Sequence, residues 1–102
     1  MSNVIVVFTS FPDSDCAKSV GIAMVEEKLA ACAQIGASIE SFYEWNGEFC
    51  RTPEISVTFK ISPQKIVAAK KRFMELHPYE CPEWVELSAE ASQKYAEWVN
   101  KV

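Results

Sequence analysis

His77 is the only histidine in a chain of 102 residues, and Pro78-Tyr79-Glu80, Cys81 and Pro82-Glu83 follow it directly. Neutral imidazole is the commonest nitrogen ligand for metals and titrates near neutrality. With Glu80 or the Cys81 thiol nearby, His77 is therefore a candidate metal ligand or proton carrier. The competing reading is a histidine placed at a helix C-terminus by the helix dipole. A metal site takes three or four ligands, and the sequence offers no second histidine to His77. Cys81 close to His77 also allows a nucleophile pair, but no residue pattern supplies an oxyanion stabiliser or an orienting group, so no enzyme is expected. Lys60 lies on a strand, on the side opposite Ile55, Val57, Phe59 and Ile61. With Tyr43, Glu44, Trp45 and His77 it can line a cleft for an anion or small ligand; the ordinary reading is a surface strand lysine.

The four cysteines, Cys16, Cys32, Cys50 and Cys81, are 16, 18 and 31 residues apart. No Cys-x-x-Cys exists to hold zinc or a soft copper ion, and the three methionines show no Met-x-x-Met spacing. These thiols read as small packed hydrophobes, with Cys50 the one expected to be exposed. Ten Lys plus Arg against fourteen Asp plus Glu leave a formal charge of −4, which argues against nucleic acid as a partner. Lys65, Lys70, Lys71 and Arg72 form the only basic cluster and read as the solvated face of a helix. No run approaches the roughly 18 to 20 apolar residues of a membrane span, and Val4 to Phe8 is too short for a signal-peptide core. A cytoplasmic protein with reduced thiols and no membrane partner is the expectation.

The elements that must position these residues follow from periodicity. Asn3 to Ser10, with five consecutive apolar residues from Val4, reads as a central strand buried on both faces. Asp13 or Ser14 can cap a helix reaching Leu29, with Cys16, Val20, Ala23 and Met24 on its inner side. From Cys32 to Trp45 the period is two, placing Ile35, Ala37, Ile39, Ser41, Tyr43 and Trp45 on one face. Asn46-Gly47 is a hairpin turn, since both central residues of a type I′ turn need positive φ. The return strand carries Phe49, breaks at Pro53, which marks an edge or a bulge, and resumes from Ile55 to Ile61.

Ser62 as cap and Pro63 at the first helical position open the next helix, whose stripe is Ile66, Ala69, Phe73 and Leu76 and whose end is His77-Pro78. A strand over Glu83 to Leu87 and a helix from Ser88 to Val99, with Ala91, Tyr95, Trp98 and Val99 inward, complete a single domain spanning residues 1–102. The order is that of an α+β, ferredoxin-like βαββαβ fold with a long central hairpin and a C-terminal helix. Fourteen residues of strand span roughly 46 Å, against a radius of gyration of about 13 Å for a domain this size. The hairpin outgrows its domain. Its tip carries Phe42, Tyr43, Trp45 and Phe49, four of the chain's twelve aromatics, so it is expected to lie on neighbouring subunits.

Phe8-Thr9-Ser10-Phe11-Pro12-Asp13, Val25 to Ala33 with its Leu-Ala-Ala-Cys, Tyr43-Glu44-Trp45-Asn46-Gly47-Glu48, Lys60, His77-Pro78-Tyr79-Glu80-Cys81-Pro82-Glu83 and Tyr95-Ala96-Glu97-Trp98 occur in that order. Together they resemble the CutA divalent-cation tolerance family over essentially the whole chain. The resemblance implies a tight homotrimer, PII-like in architecture, associated with tolerance of copper and other divalent metals and with no established enzymatic activity. It implies a ligand cleft between subunits around Tyr43, Trp45, Lys60, His77 and Glu80, and His77 as the residue for copper or another divalent metal. Thr9 and Leu76 stand where enteric members credited with copper ligands carry a cysteine and a second histidine, so His77 alone of that set is present. A PII-like signalling or scaffold module holding a small anionic ligand in the same cleft is the alternative.

Overall fold

In the computed structural model, which describes residues 2–102, the elements are β1 (Asn3–Phe11), α1 (Ser14–Glu26), β2 (Cys32–Trp45), β3 (Glu48–Ile61), α2 (Ile66–Leu76), β4 (Val85–Glu90) and α3 (Gln93–Asn100). The strands form one antiparallel sheet in the order β2-β3-β1-β4, the ferredoxin-like arrangement with β1 central. β1 is apolar on both sides, and helices cover both except at Phe8. Val7 and Phe11 join Val57, Phe59 and Ile61 of β3 beneath Ala17, Val20 and Met24 of α1 and Ala69 and Phe73 of α2. Val4 and Val6 face the other way and pack with Ala89 against Ala96 and Val99 of α3.

α1 starts where expected, with the Asp13 carboxylate accepting the Cys16 N–H at 2.7 Å. It stops at Glu26 rather than Leu29, because Lys28 turns left-handed at φ 61°. The Leu29 N–H then bonds the Met24 carbonyl and the Lys28 N–H bonds the Val25 carbonyl, both at 3.0 Å. This is a Schellman closure with lysine at the position that usually takes glycine.

The hairpin turn is as expected, with Asn46 at φ 53° and Gly47 at φ 79°. β3, however, does not break at Pro53, which sits in register opposite Glu40. It lies past Ile55, the last β3 residue paired with β1, where β3 has a neighbour on one side only. The irregularity is in β2 instead: Ile35 pairs with Val57 and Ser38 with Ile55, so β2 carries one extra residue, a β-bulge at Gly36-Ala37. Glycine fits there because a Cβ would stand 3.3 Å from both the carbonyl oxygen and the Oγ of Ser56. The extra residue flips the alternation. Ile35 pairs with Val57 but Ile39 pairs with Glu54, so the single face expected from Ile35 to Trp45 is two faces joined at the bulge.

Ser62 caps a turn rather than α2: its Oγ accepts the Gln64 N–H and its carbonyl accepts the Lys65 N–H, and the helix proper begins at Ile66. β4 is displaced toward the C-terminus relative to the expected strand because it pairs along β1 from Phe8↔Val85 to Asn3↔Glu90. α3 is correspondingly shorter. It buries Ala96 and Val99, while Tyr95 and Trp98, expected inward, are exposed and pack on each other at 5.7 Å between centroids. Beyond Phe11↔Ile55 the hairpin continues as a free two-stranded arm. The molecule measures 44 × 23 × 23 Å, its long axis close to the length expected for one strand of that hairpin.

Candidate ligand cleft

A cleft of about 580 Å³ opens where the arm leaves the sheet. β2 supplies Ser41, Phe42, Tyr43 and Trp45, β3 supplies Glu54, and the loop after α2 supplies the opposite wall through Tyr79, Glu80 and Glu83. At its floor Glu54 is only 8% exposed. Ser41 Oγ donates to Glu54 Oε1 at 2.7 Å and the Tyr79 hydroxyl donates to Oε2 at 2.8 Å. Burial, then the bond to Glu54 and its negative charge, push the Tyr79 phenol far above the ordinary tyrosine range.

His77 stands behind this wall as the C-cap of α2, 7% exposed, its ring stacked on Phe11 at 4.4 Å between centroids. Its Nε2 is 2.8 Å from the Ser10 carbonyl, which can only accept, so Nε2 carries the proton. Its Nδ1 accepts the Tyr79 N–H at 3.1 Å. The tautomer assigned by these partners is neutral. Burial lowers the His77 pKa below its usual 6.5, opposed by the Ser10 carbonyl and by the charge of Glu54.

The five residues expected to share a cleft are thus distributed over two places within the chain. Tyr43, Trp45 and Glu80 line it, and His77 lies directly behind it. Lys60 is elsewhere: it pairs with Val6 and Cys32, alternates with buried Phe59, and donates to Gln34 Oε1. Its side of the sheet is therefore opposite the one where His77 packs on Phe11 and Phe73. The cleft residues carry three carboxylates, Glu54, Glu80 and Glu83, and include no lysine or arginine.

Glu54 and Ser41 were not anticipated as site residues. The available signal was Glu54 at the head of the polar row Glu54, Ser56, Thr58 and Lys60, placed just where β3 leaves β1.

As for metal, no group of three or more His, Cys, Asp or Glu side chains converges among the described residues. Both His77 ring nitrogens are engaged in hydrogen bonds within the chain. Thr9 is buried and donates to the Glu83 carbonyl at 2.6 Å, which ties β1 to the same loop. The thiols are less buried than expected. Cys81, not Cys50, is the exposed one, and Cys16, Cys32 and Cys50 are half-buried. Burial first, and Asp13 second, raise the pKa of the Cys16 thiol. The hydrogen bonds of the His77 ring run to Ser10 and Tyr79, and neither of them reaches Cys81. No helix among the described residues is long and apolar enough to cross a membrane.

Comparison with known proteins agrees with this geometry. Residues 5–102 match the family model described as CutA1 divalent ion tolerance protein. The chain is 35% identical over 97 residues to the divalent-cation tolerance protein CutA of Thermus thermophilus, covering 94% of each. It is 32% identical to human protein CutA, covering 98% of this chain but 56% of that longer protein. Among solved structures, CutA1 of Ehrlichia chaffeensis superposes with a TM-score of 0.92 at 28% identity, over 99% of this chain and 95% of that one. CutA1 of Shewanella sp. SIB1 does so at 0.91 and 33%, over 96% and 92%. From the motif order, the fold and these matches, the chain belongs to the CutA1 divalent ion tolerance family.

Proposed function

We propose that the protein acts in the cytoplasm as a homotrimeric divalent-cation tolerance protein, with copper among its cations, and that it meets metal weakly through surface carboxylates. The observation that carries this reading is the bare outer face of the sheet. Phe8 of β1 and Val85 and Leu87 of β4 share that face and are all exposed, Leu87 at 54%, with Trp98 of α3 also exposed. An antiparallel sheet that met water on this side would turn polar residues to it, so an apolar face implies a covering partner. In a closed trimer each contact is heterologous, so the projecting arm of one copy, with Phe42, Trp45 and Phe49, supplies the apolar surface that covers this face on the next. The weak-contact half is supported by the lack of any converging group of three or more His, Cys, Asp or Glu among the described residues of one chain. An anionic ligand in the cleft would meet Glu54, Glu80 and Glu83 with no cation of the same subunit lining it.

Light scattering tests the assembly: the wild-type chain is expected at three times 11.5 kDa and Leu87→Glu at a lower mass. A wild-type monomer at micromolar concentration overturns the reading. Calorimetric titration of the reduced protein with copper is expected to give weak binding, and a tight stoichiometric site refutes the metal half.

A further inference from the structure

We infer that His77 is the positioning residue that holds the 78–83 wall of the cleft in place, and that it is not a metal ligand. This goes beyond the tolerance reading and does not depend on the trimer. Three elements end at this ring. β1 ends at Phe11, whose ring lies 19° from parallel to the imidazole, and the preceding Ser10 carbonyl accepts the hydrogen bond of the Nε2–H. α2 ends at His77 itself, whose backbone N–H still bonds the Phe73 carbonyl at 2.9 Å while Pro78 forces its φ and ψ to −72° and 137°. The loop begins there, and its first amide, that of Tyr79, is held by Nδ1 because Pro78 has none to offer. Tyr79 then carries the connection across the cleft to Glu54, and Ser41 completes it to β2.

The same bonds exclude ligation. A metal needs a lone pair on a ring nitrogen, and the neutral ring has one, on Nδ1, directed at the Tyr79 N–H. A cation there would displace that amide from a part-buried position. A cation on Nε2 would instead need the proton removed and the Ser10 carbonyl left bare. No second and third ligand converge among the described residues to compensate. Every buried side-chain nitrogen and oxygen among those residues already has a partner.

The wild-type protein carries a direct test, because its single histidine gives one pair of ring-nitrogen signals. In a two-dimensional proton–nitrogen spectrum at neutral pH those signals are expected in the Nε2–H pattern and unmoved by excess zinc. A zinc-induced shift to a metal-bound nitrogen overturns the inference. His77→Phe keeps the ring stacked on Phe11 and deletes both hydrogen bonds. Amide exchange at Tyr79 is expected to accelerate about tenfold, the factor that one lost hydrogen bond corresponds to, with the Phe73 amide inside α2 unchanged. Unaltered Tyr79 exchange in the folded variant also overturns it. If that variant fails to fold, the wild-type spectrum still decides.

Discussion

Tyr79→Phe isolates one hydrogen bond to a buried charge. The substitution leaves the ring 4.8 Å from His77 and removes only the hydroxyl that donates to Glu54 Oε2. Glu54 is 8% exposed, no lysine or arginine is among its partners, and its other donor is Ser41. Losing one of two donors from a buried carboxylate is expected to cost about 1.5–3 kcal/mol, the range for hydrogen bonds to charged groups. Ser41→Ala should cost a similar amount. The pair should fall short of the sum, because after the first loss the carboxylate is already free to take up water. Replacing the carboxylate by Glu54→Gln in the Tyr79→Phe background should recover part of the loss, since an amide tolerates a missing donor better than a charge does. The assay is guanidinium unfolding at one fixed protein concentration, which holds the contribution of subunit association constant. A Tyr79→Phe effect below about 0.5 kcal/mol, the level of an inconsequential surface change, would refute the claim that Glu54 is a buried ion sustained by two hydroxyls.

Two other substitutions probe the frame around that site. Lys28→Gly should stabilise the subunit by about 0.5–1 kcal/mol: it removes a left-handed strain of about 1–2 kcal/mol and returns part as glycine's added freedom in the unfolded chain. The Lys65 Nζ bond to residue 28 survives because it uses the backbone carbonyl, and an unchanged or lowered denaturation midpoint would contradict the Schellman assignment. For His77, burial lowers the folded pKa below the unfolded 6.5, so its neutral-state stability is complete above about pH 6.5 and is lost as pH falls through the folded value. Unfolding measured from pH 8 to pH 5 should therefore fall more steeply for the wild type than for His77→Phe, and parallel curves would contradict a buried neutral ring.

Much of the fold was legible because periodicity and turn chemistry are local. Five consecutive apolar residues call for cover on both faces: α1 and α2 cover one side of β1 and α3 covers Val4 and Val6 on the other, while Phe8 is left exposed. Asn46-Gly47 encodes its own backbone angles. The bulge was not legible, because the alternation of Ile35, Ala37 and Ile39 runs through Gly36 without interruption. Only the pairing with β3, and the approach of Ser56 to within 3.3 Å of where a Cβ would stand, show that one residue is extra. The inner face of α3 was likewise decided by packing. Aromatic Tyr95 and Trp98 outrank Ala96 and Val99 in hydrophobic area, yet the small residues are what fit closely against Val4, and the large ones are left for another surface.

The site was legible in its residues but not in its connections. His77 stood out by being unique, yet nothing in the chain order says that its nitrogens meet residues 10 and 79, one of them 67 positions away. Lys60 is the opposite case, since strand alternation alone separates it from His77. The apolar partners of Lys60 on β3 face the helices, α2 ends in His77 on that side, and the lysine must therefore point away from it. A cleft that joins Lys60 to His77 would consequently need a second copy of the chain to give the lysine. Such a shared cleft exists only if the bare sheet face is an interface, so Leu87→Glu should abolish any ligand binding that requires Lys60 while leaving the Glu54–Tyr79 bond within each subunit intact.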